Sequence, residues 1–365
     1  MSLRGNELGF ELELATLTLA AARCSVQRQG SGDTNIQKVA VIGSGSWGTA
    51  LAVHLARIGH DVHLWARDAS LVEEMRARRA NAVYLPGVNF PDSLLPTHAL
   101  ESALHGAGIV VVAVPSHGMR AVLHAAGGAV SGDALVVSAT KGLEQGTLLR
   151  MSQVIAQALP RVREVVVLSG PSFAAELARE LPTAVVVASL TAGAVEHVQA
   201  EFRSGALRLY GSSDVVGLEI GGALKNIIAI AAGVVEGLGL GHNGMAALIT
   251  RGLAEITRLA VALGAQRDTM AGLAGLGDLV LTCTGQLSRN RHVGVELARG
   301  RSLPEILAST KMVAEGVRTT RAALSLGAKH GIELPIAAQM AEVIEARRNP
   351  KDAVCELMGR RQRTE

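Results

Sequence analysis

Lys38-Val39-Ala40-Val41-Ile42-Gly43-Ser44-Gly45-Ser46-Trp47-Gly48-Thr49 is the stretch on which the fold turns. Its first five residues are rich in branched apolar side chains, the composition of a strand buried on both faces. Gly43, Gly45 and Gly48 then fall at G-x-G-x-x-G spacing, and the chain runs on as Thr-Ala-Leu-Ala-Val-His-Leu-Ala, an apolar helix. Each glycine has a separate job: Gly43 permits a tight turn, Gly45 lets the backbone approach a pyrophosphate, and Gly48 lets helix and strand pack closely. The phosphates would rest on unpaired N–H groups at the positive end of the helix dipole. With 41 glycines in 365 residues the spacing also arises by chance, so a glycine-rich structural turn is the competing reading. The strand before it, the helix after it and a second strand over Asp61–Trp65 make it a dinucleotide-binding fingerprint.

Outward from this turn the pattern repeats. Helices are expected over 70–79, 117–126 and 148–159, and strands over 109–114, 134–139, 165–168 and 184–188. Strands alternating with helices imply parallel pairing through right-handed crossovers, a Rossmann-type doubly wound α/β sheet. Ligands of such sheets bind beyond the carboxyl ends of the strands. Four segments lie there: 43–47, Trp65-Ala66-Arg67-Asp68, Ala139-Thr140-Lys141-Gly142 and Ser169-Gly170-Pro171-Ser172. At the second, an acidic side chain would bond the ribose 2′-hydroxyl of NAD, and an arginine would accommodate the 2′-phosphate of NADP. Arg67 comes first and points to NADP(H); Asp68, next along, keeps NAD(H) open. Lys141 leaves a strand end between Thr140 and Gly142, and the 169–172 turn can offer N–H groups and a hydroxyl to a polar ligand.

The bulk composition bounds the rest. A chain of 365 residues exceeds one ordinary core, so two domains are expected, 37–211 and 212–365. Hydrophobic residues make up 48% and aromatics only 2%, so Val, Leu, Ile and Ala must fill the cores. The net charge of +3, with no run of Lys and Arg among aromatics, argues against nucleic-acid binding. Cys24, Cys283 and Cys355 lie far apart with no C-x-x-C, which fits a reducing cytoplasm and offers neither a disulfide framework nor a zinc site. Residues 1–36 precede the first strand. The apolar run 12–22 is too short to span a bilayer, and Glu7, Glu11 and Glu13 do not suit a signal or transit peptide. An extension, poorly ordered or forming a short helix, is expected there.

From Ser212 the strand pattern stops and an all-helical domain is expected. Residues 215–235 are apolar nearly all round, as in a helix buried within a bundle; Glu219, Lys225 and Asn226 set it apart from a membrane span. An ammonium removed from water costs several kcal/mol unless it is paired or neutralised. Desolvation, or a second cation such as Lys141, lowers its pKa and equips it to accept a proton near neutral pH. A lysine stem can instead carry its head to the surface; Asn226 and the surrounding glycines favour the buried arrangement. Next, 272–282 brings Asp278 and Thr282 one helical turn apart if the segment is helical. Ser288 is then an N-cap candidate for a helix running to Ala298, with Arg289 and Asn290 in its first turn. A cation there opposes the helix dipole. A bound anion such as a phosphate monoester resolves that conflict, and an exposed, unliganded arginine is the alternative.

Seven blocks together resemble the bacterial NAD(P)-dependent sn-glycerol-3-phosphate dehydrogenase family over roughly residues 38–345. They are Gly-Ser-Gly-Ser-Trp-Gly-Thr-Ala-Leu-Ala (43–52), Ala-Thr-Lys-Gly-Leu-Glu (139–144), Leu-Ser-Gly-Pro-Ser-Phe-Ala (168–174), Gly-Gly-Ala-Leu-Lys-Asn (221–226), Gly-Leu-Ala-Gly-Leu-Gly-Asp-Leu-Val-Leu-Thr-Cys-Thr (272–284), Leu-Ser-Arg-Asn-Arg (287–291) and Val-Ala-Glu-Gly-Val (313–317). The resemblance implies hydride transfer interconverting dihydroxyacetone phosphate and glycerol 3-phosphate for glycerophospholipid synthesis, by a two-domain, commonly dimeric enzyme. It implies Lys225 as general acid/base, Lys141 touching substrate and cofactor, and Asp278 holding the lysine or the substrate hydroxyl. Gly170, Ser172, Ser288, Arg289 and Asn290 would bind glycerol phosphate, with Asn226 and Thr282 in support. Ser46, Trp47, Arg67, Lys141, Ala174, Arg289, Val313 and Glu315 would face the dinucleotide. Two-domain dehydrogenases of hydroxy acids or acyl thioesters are the alternative, since a carboxylate would also use Arg289. The chain departs from the family in Ser44, where Ala is usual, and in His242, where Asp is usual and whose loss weakens a helix cap.

Overall fold

The computed structural model describes residues 36–309 and 314–361. The extension expected over 1–36, Ile36 apart, lies outside the described residues, as does Val313. The first half runs β1 (Lys38–Ile42), α1 (Ser46–Arg57), β2 (Asp61–Trp65), α2 (Ala69–Arg78), β3 (Leu94–Thr97), α3 (Leu100–Leu104), β4 (Ile109–Val112), α4 (Met119–Ala126), β5 (Leu135–Ser138), α5 (Met151–Ala158), β6 (Val165–Ser169), α6 (Ala174–Ala178), β7 (Thr183–Ala188), α7 (Ala192–Phe202) and β8 (Leu207–Ser212). These strands form one sheet in the order β3-β2-β1-β4-β5-β6-β7-β8. In β1, Val39 and Val41 face one apolar layer while Ala40 and Ile42 face the other, so both faces are covered by helices.

The expectation of parallel strands fails at one place. β7 runs antiparallel to β6, while β7 and β8 pair in parallel. After β6 the chain turns back at the carboxyl edge through the five-residue α6, which packs on α1, rather than crossing the sheet. Two strands also escaped the sequence pattern. β3 carries Pro96 at the sheet edge, and β8 alternates buried and exposed residues at the opposite edge; neither has the continuous apolar run of a central strand.

The second half contains α8 (Val215–Gly237), α9 (Gly241–Ala262), α10 (Arg267–Ala271), α11 (Asp278–Thr284), α12 (Arg289–Ala298), α13 (Leu303–Ala308), α14 (Glu315–Lys329), α15 (Pro335–Ile344) and α16 (Pro350–Met358). Asp214 caps α8, its carboxylate accepting the Gly217 N–H at 2.8 Å. By length and composition α8 could cross a membrane, yet nearly all of it is buried. It is the axis of the lobe: α9, α11, α12, α14 and α15 pack around it, and it also touches β6 and β7. α9 is preceded by Leu240 as its N-cap residue, with no side-chain cap, and His242 is exposed at the second position inside the helix.

Candidate active site

The nucleotide turn is shaped by close approaches. Gly43 has φ +115, and a Cβ there would lie 2.6 Å from the Ala113 carbonyl oxygen; a Cβ on Gly48 would lie 1.9 Å from that of Gly43. At Gly45 a Cβ would meet nothing within 4 Å, so the room that this glycine leaves faces outward. α1 starts without a side-chain cap, and the Trp47 Nε1 is buried without a partner among the described residues. An open cradle beside uncapped N–H groups fits a dinucleotide pyrophosphate. Two braces were not singled out in the sequence. Thr49 Oγ1 donates to the Ser44 carbonyl at 3.0 Å, and the fully buried Asn81 donates to that same carbonyl and to Thr49 Oγ1, both at 2.9 Å.

Beyond β2, Arg67 is exposed. Asp68 caps α2, its Oδ1 accepting the N–H groups of Ser70 at 2.9 Å and Leu71 at 3.3 Å. Near Arg67 stands His117. Burial lowers the pKa of its imidazole, Arg318 and Arg67 push the same way, and Glu315 opposes them. Glu315, at the start of α14, accepts the Ser116 N–H at 3.1 Å and its hydroxyl at 2.6 Å, tying the helical lobe to the loop after β4.

At the meeting of the lobes lies a group of charged side chains. Lys225 is 7% exposed and Asp278 0%. The Lys225 ammonium donates to Asp278 Oδ1 and, at 2.8 Å, to Thr282 Oγ1. Lys141 donates to the other carboxylate oxygen, Oδ2, at 2.7 Å and to the Gly170 carbonyl at 3.0 Å. Asp278 opens α11, placing Thr282 one turn on, while the preceding Leu273–Gly277 adopts a wider π turn. Desolvation brings the Lys225 pKa down to about 7; Asp278 raises it and Lys141 lowers it. Burial thus outweighs the attraction of the carboxylate.

The remaining residues divide. Ser172 donates its hydroxyl to the Gly170 carbonyl at 3.0 Å, and Ala174 is the first residue of α6. Asn226 faces Asn290, whose amide donates to Asn226 Oδ1 at 3.0 Å and accepts the Gly316 N–H at 3.0 Å. Both amides are therefore engaged with one another rather than turned toward Lys225. Ser288 caps α12, its hydroxyl accepting the Arg291 N–H at 3.3 Å; the N–H groups of Arg289 and Asn290 have no protein acceptor among the described residues. Arg289 is exposed at the start of α12; the protein around its guanidinium lowers its pKa and Glu315 raises it.

A dinucleotide cradle on the sheet, together with a buried amine in the helical lobe that shares Asp278 with Lys141 of the sheet lobe, defines a two-lobed nicotinamide-dependent dehydrogenase. Residues 38–194 match the sequence profile described as NAD-dependent glycerol-3-phosphate dehydrogenase N-terminus, and residues 214–355 match that of its C-terminus. The chain belongs to the NAD-dependent glycerol-3-phosphate dehydrogenase family. It is 53% identical over 338 residues to the glycerol-3-phosphate dehydrogenase (NAD(P)+) of Acidobacterium capsulatum, covering 90% of this chain and 100% of that one. It is 50% identical over 331 residues to the protein of the same name from Geobacter sp. strain M21, covering 90% and 99%. Among solved structures, the glycerol-3-phosphate dehydrogenase of Coxiella burnetii is 39% identical and superposes with a TM-score of 0.86, covering 89% of this chain and 99% of that one.

Proposed function

We propose that this protein reversibly interconverts dihydroxyacetone phosphate and sn-glycerol 3-phosphate with a nicotinamide cofactor, supplying glycerol 3-phosphate for glycerophospholipid synthesis. The observation that carries this reading is the Lys225–Asp278–Lys141 group, in which a buried amine has its pKa brought to about 7. Gly43, Gly45, Ser46, Trp47 and Gly48 would hold the pyrophosphate end of the dinucleotide, whose nicotinamide, when bound, would supply or take the hydride. In reduction, the Lys225 ammonium gives its proton to the C2 oxygen as that oxygen gains charge. In oxidation, the neutral amine removes the hydroxyl proton. A pKa near the working pH keeps both forms available. Asp278 and Thr282 orient the amine, and Lys141 reaches from the sheet lobe toward substrate and cofactor together.

Ser288, Arg289 and Asn290 hold the phosphate, using the guanidinium and the two unpaired N–H groups at the start of α12. Gly170 and Ser172 bound the glycerol moiety, and Asn226 with Asn290 fixes the floor beneath it. Anchoring the phosphate away from the reacting carbon orients the carbonyl. Ala174, Glu315 and Arg289 line the dinucleotide side. Residues 37–211 act as the nucleotide domain and 212–365 as the substrate domain of a cytoplasmic homodimer, which light scattering would test by its mass. NADPH is the preferred reductant: Arg67 is exposed at the ribose position, while the Asp68 carboxylate caps α2. The test follows NADPH absorbance on adding dihydroxyacetone phosphate. Turnover that disappears in Lys225→Ala, with circular dichroism unchanged, is expected; no turnover by the native protein overturns the proposal.

A further inference from the structure

Glu219 is a buried charge with no part in the chemistry above. It lies near the start of α8, its side chain only 2% exposed, and its carboxylate reaches out of the helical lobe to the beginning of α5. There it accepts the Ser152 N–H at 2.7 Å, the Ser152 hydroxyl at 2.7 Å and the Arg150 guanidinium, which also donates to Ser152 Oγ at 3.1 Å. The anion thus sits on the positive end of α5. Burial raises the Glu219 pKa, while Arg150 and Ser152 pull it down.

α5 begins where the loop leaving β5 ends, and that loop carries Lys141. The loop is folded on itself, Glu144 N–H donating to the Leu149 carbonyl at 2.9 Å and Leu143 bridging Arg150. One turn beyond Glu219, Gly222 lies against the Lys141 stem: a Cβ there would be in ordinary contact with Lys141 Cγ at 3.4 Å, and would crowd the Ser169 hydroxyl at 2.8 Å. Glu219 and Gly222 share a face of α8, and Lys225 follows one turn later. Both ends of the Lys141 loop are therefore fitted to the helix that bears Lys225. Two ammonium groups drawn to one carboxylate repel each other, so their separation depends on a hold beyond Asp278.

We propose that Glu219 is a positioning residue that pins the start of α5, holds the Lys141 loop against α8 and thereby sets the distance between Lys141 and Lys225. The proposal rests on Lys225 being the acid/base of the reaction. The groups facing Lys225 are Asp278, Lys141 and the buried Cys283 thiol, whose pKa burial pushes up to about 12. Of these, only Lys141 belongs to the sheet lobe. Loosening the pin weakens its repulsion of Lys225, and the Lys225 pKa rises.

The experiment compares native enzyme with Glu219→Gln, Glu219→Asp and Ser152→Ala. It reads kcat and KM for dihydroxyacetone phosphate reduction across pH, NADPH Kd by fluorescence titration, and circular dichroism. Glu219→Gln keeps the shape and removes the charge paired with Arg150. A fall in kcat of about tenfold to a hundredfold is expected, with a smaller change in NADPH Kd, because of the cofactor contacts only that of Lys141 is loosened while the glycine cradle lies apart from the pin. The limb of the kcat profile set by Lys225 should move up by about half a pH unit. Glu219→Asp should recover part of both effects, and Ser152→Ala should shift the limb the same way by less. A folded Glu219→Gln enzyme whose limb does not move overturns the proposal, whether or not kcat falls. Should Glu219→Gln fail to fold, Ser152→Ala decides by the same limb. Lys225→Ala, assayed alongside, separates the two readings: turnover retained there removes the acid/base assignment itself. An active native enzyme, an inactive Lys225→Ala and an unmoved limb remove only the pin.

Discussion

Lys141 and Lys225 approach a single carboxylate from opposite lobes, one bound to each oxygen of Asp278. Asp278 raises the Lys225 pKa while Lys141 lowers it, with burial setting the balance near 7. The pH dependence follows by sign. Glycerol 3-phosphate oxidation needs the neutral amine, so its kcat should rise as pH increases through about 7. Reduction needs the ammonium and should fall over the same interval. Steady-state rates in both directions check this; parallel limbs would contradict it.

Removing the shared carboxylate should have two effects. Asp278→Asn leaves burial and Lys141 unopposed, so the Lys225 pKa falls and both limbs move to lower pH. It also leaves Lys141 without its carboxylate partner, which destabilises the fold. A lower Tm together with the displaced profile is the expected result.

Arg289→Ala should act mainly on substrate binding. Losing a charge-assisted hydrogen bond to phosphate costs about 1.5–3 kcal/mol, so KM for dihydroxyacetone phosphate should rise roughly tenfold to a hundredfold. An unchanged KM would remove Arg289 from the phosphate site.

Cofactor preference can be read at Arg67. Arg67→Ala should weaken NADPH binding by about tenfold or more and leave NADH nearly unaffected, since only the 2′-phosphate is lost as a partner. Equal effects on the two reductants would contradict the assignment. Dissociation constants from fluorescence titration give the comparison directly.

The glycines of the nucleotide turn should separate stability from binding. A methyl group at Gly48 would collide with the Gly43 carbonyl, whereas one at Gly45 would enter open space. Gly48→Ala should therefore cost about 1–3 kcal/mol and lower Tm. Gly45→Ala should keep the native Tm and lose NADPH affinity. Thermal melts and titrations on the same preparations distinguish them.

Much of this was legible in the chain because local rules and tertiary roles coincide. β1 is buried on both faces, so its residues are uniformly apolar, and the glycine spacing that follows serves a turn made by neighbouring residues. Lys225 stands out because a charge inside an apolar helix contradicts its surroundings. Long-range arrangements left fainter traces. The reversal of β7 is decided by where the chain turns at the sheet edge, which no periodicity records. Pro96 in β3 reads as a break because an edge position, which only the completed sheet defines, is what tolerates it. Asn226 stands out only by lying beside Lys225; that its amide meets Asn290, 64 positions away, is recorded in no local pattern.

The burial of α8 has a consequence for how the chain is made. The helices that enclose it, from α9 to α15, all follow it in sequence. As the polypeptide emerges from the ribosome, this oily rod exists before its sheath, with only the finished sheet to shield one side. The second lobe can settle only after α15 has been synthesised, and a message cut short before that point would yield a sticky, aggregation-prone fragment rather than a smaller working enzyme.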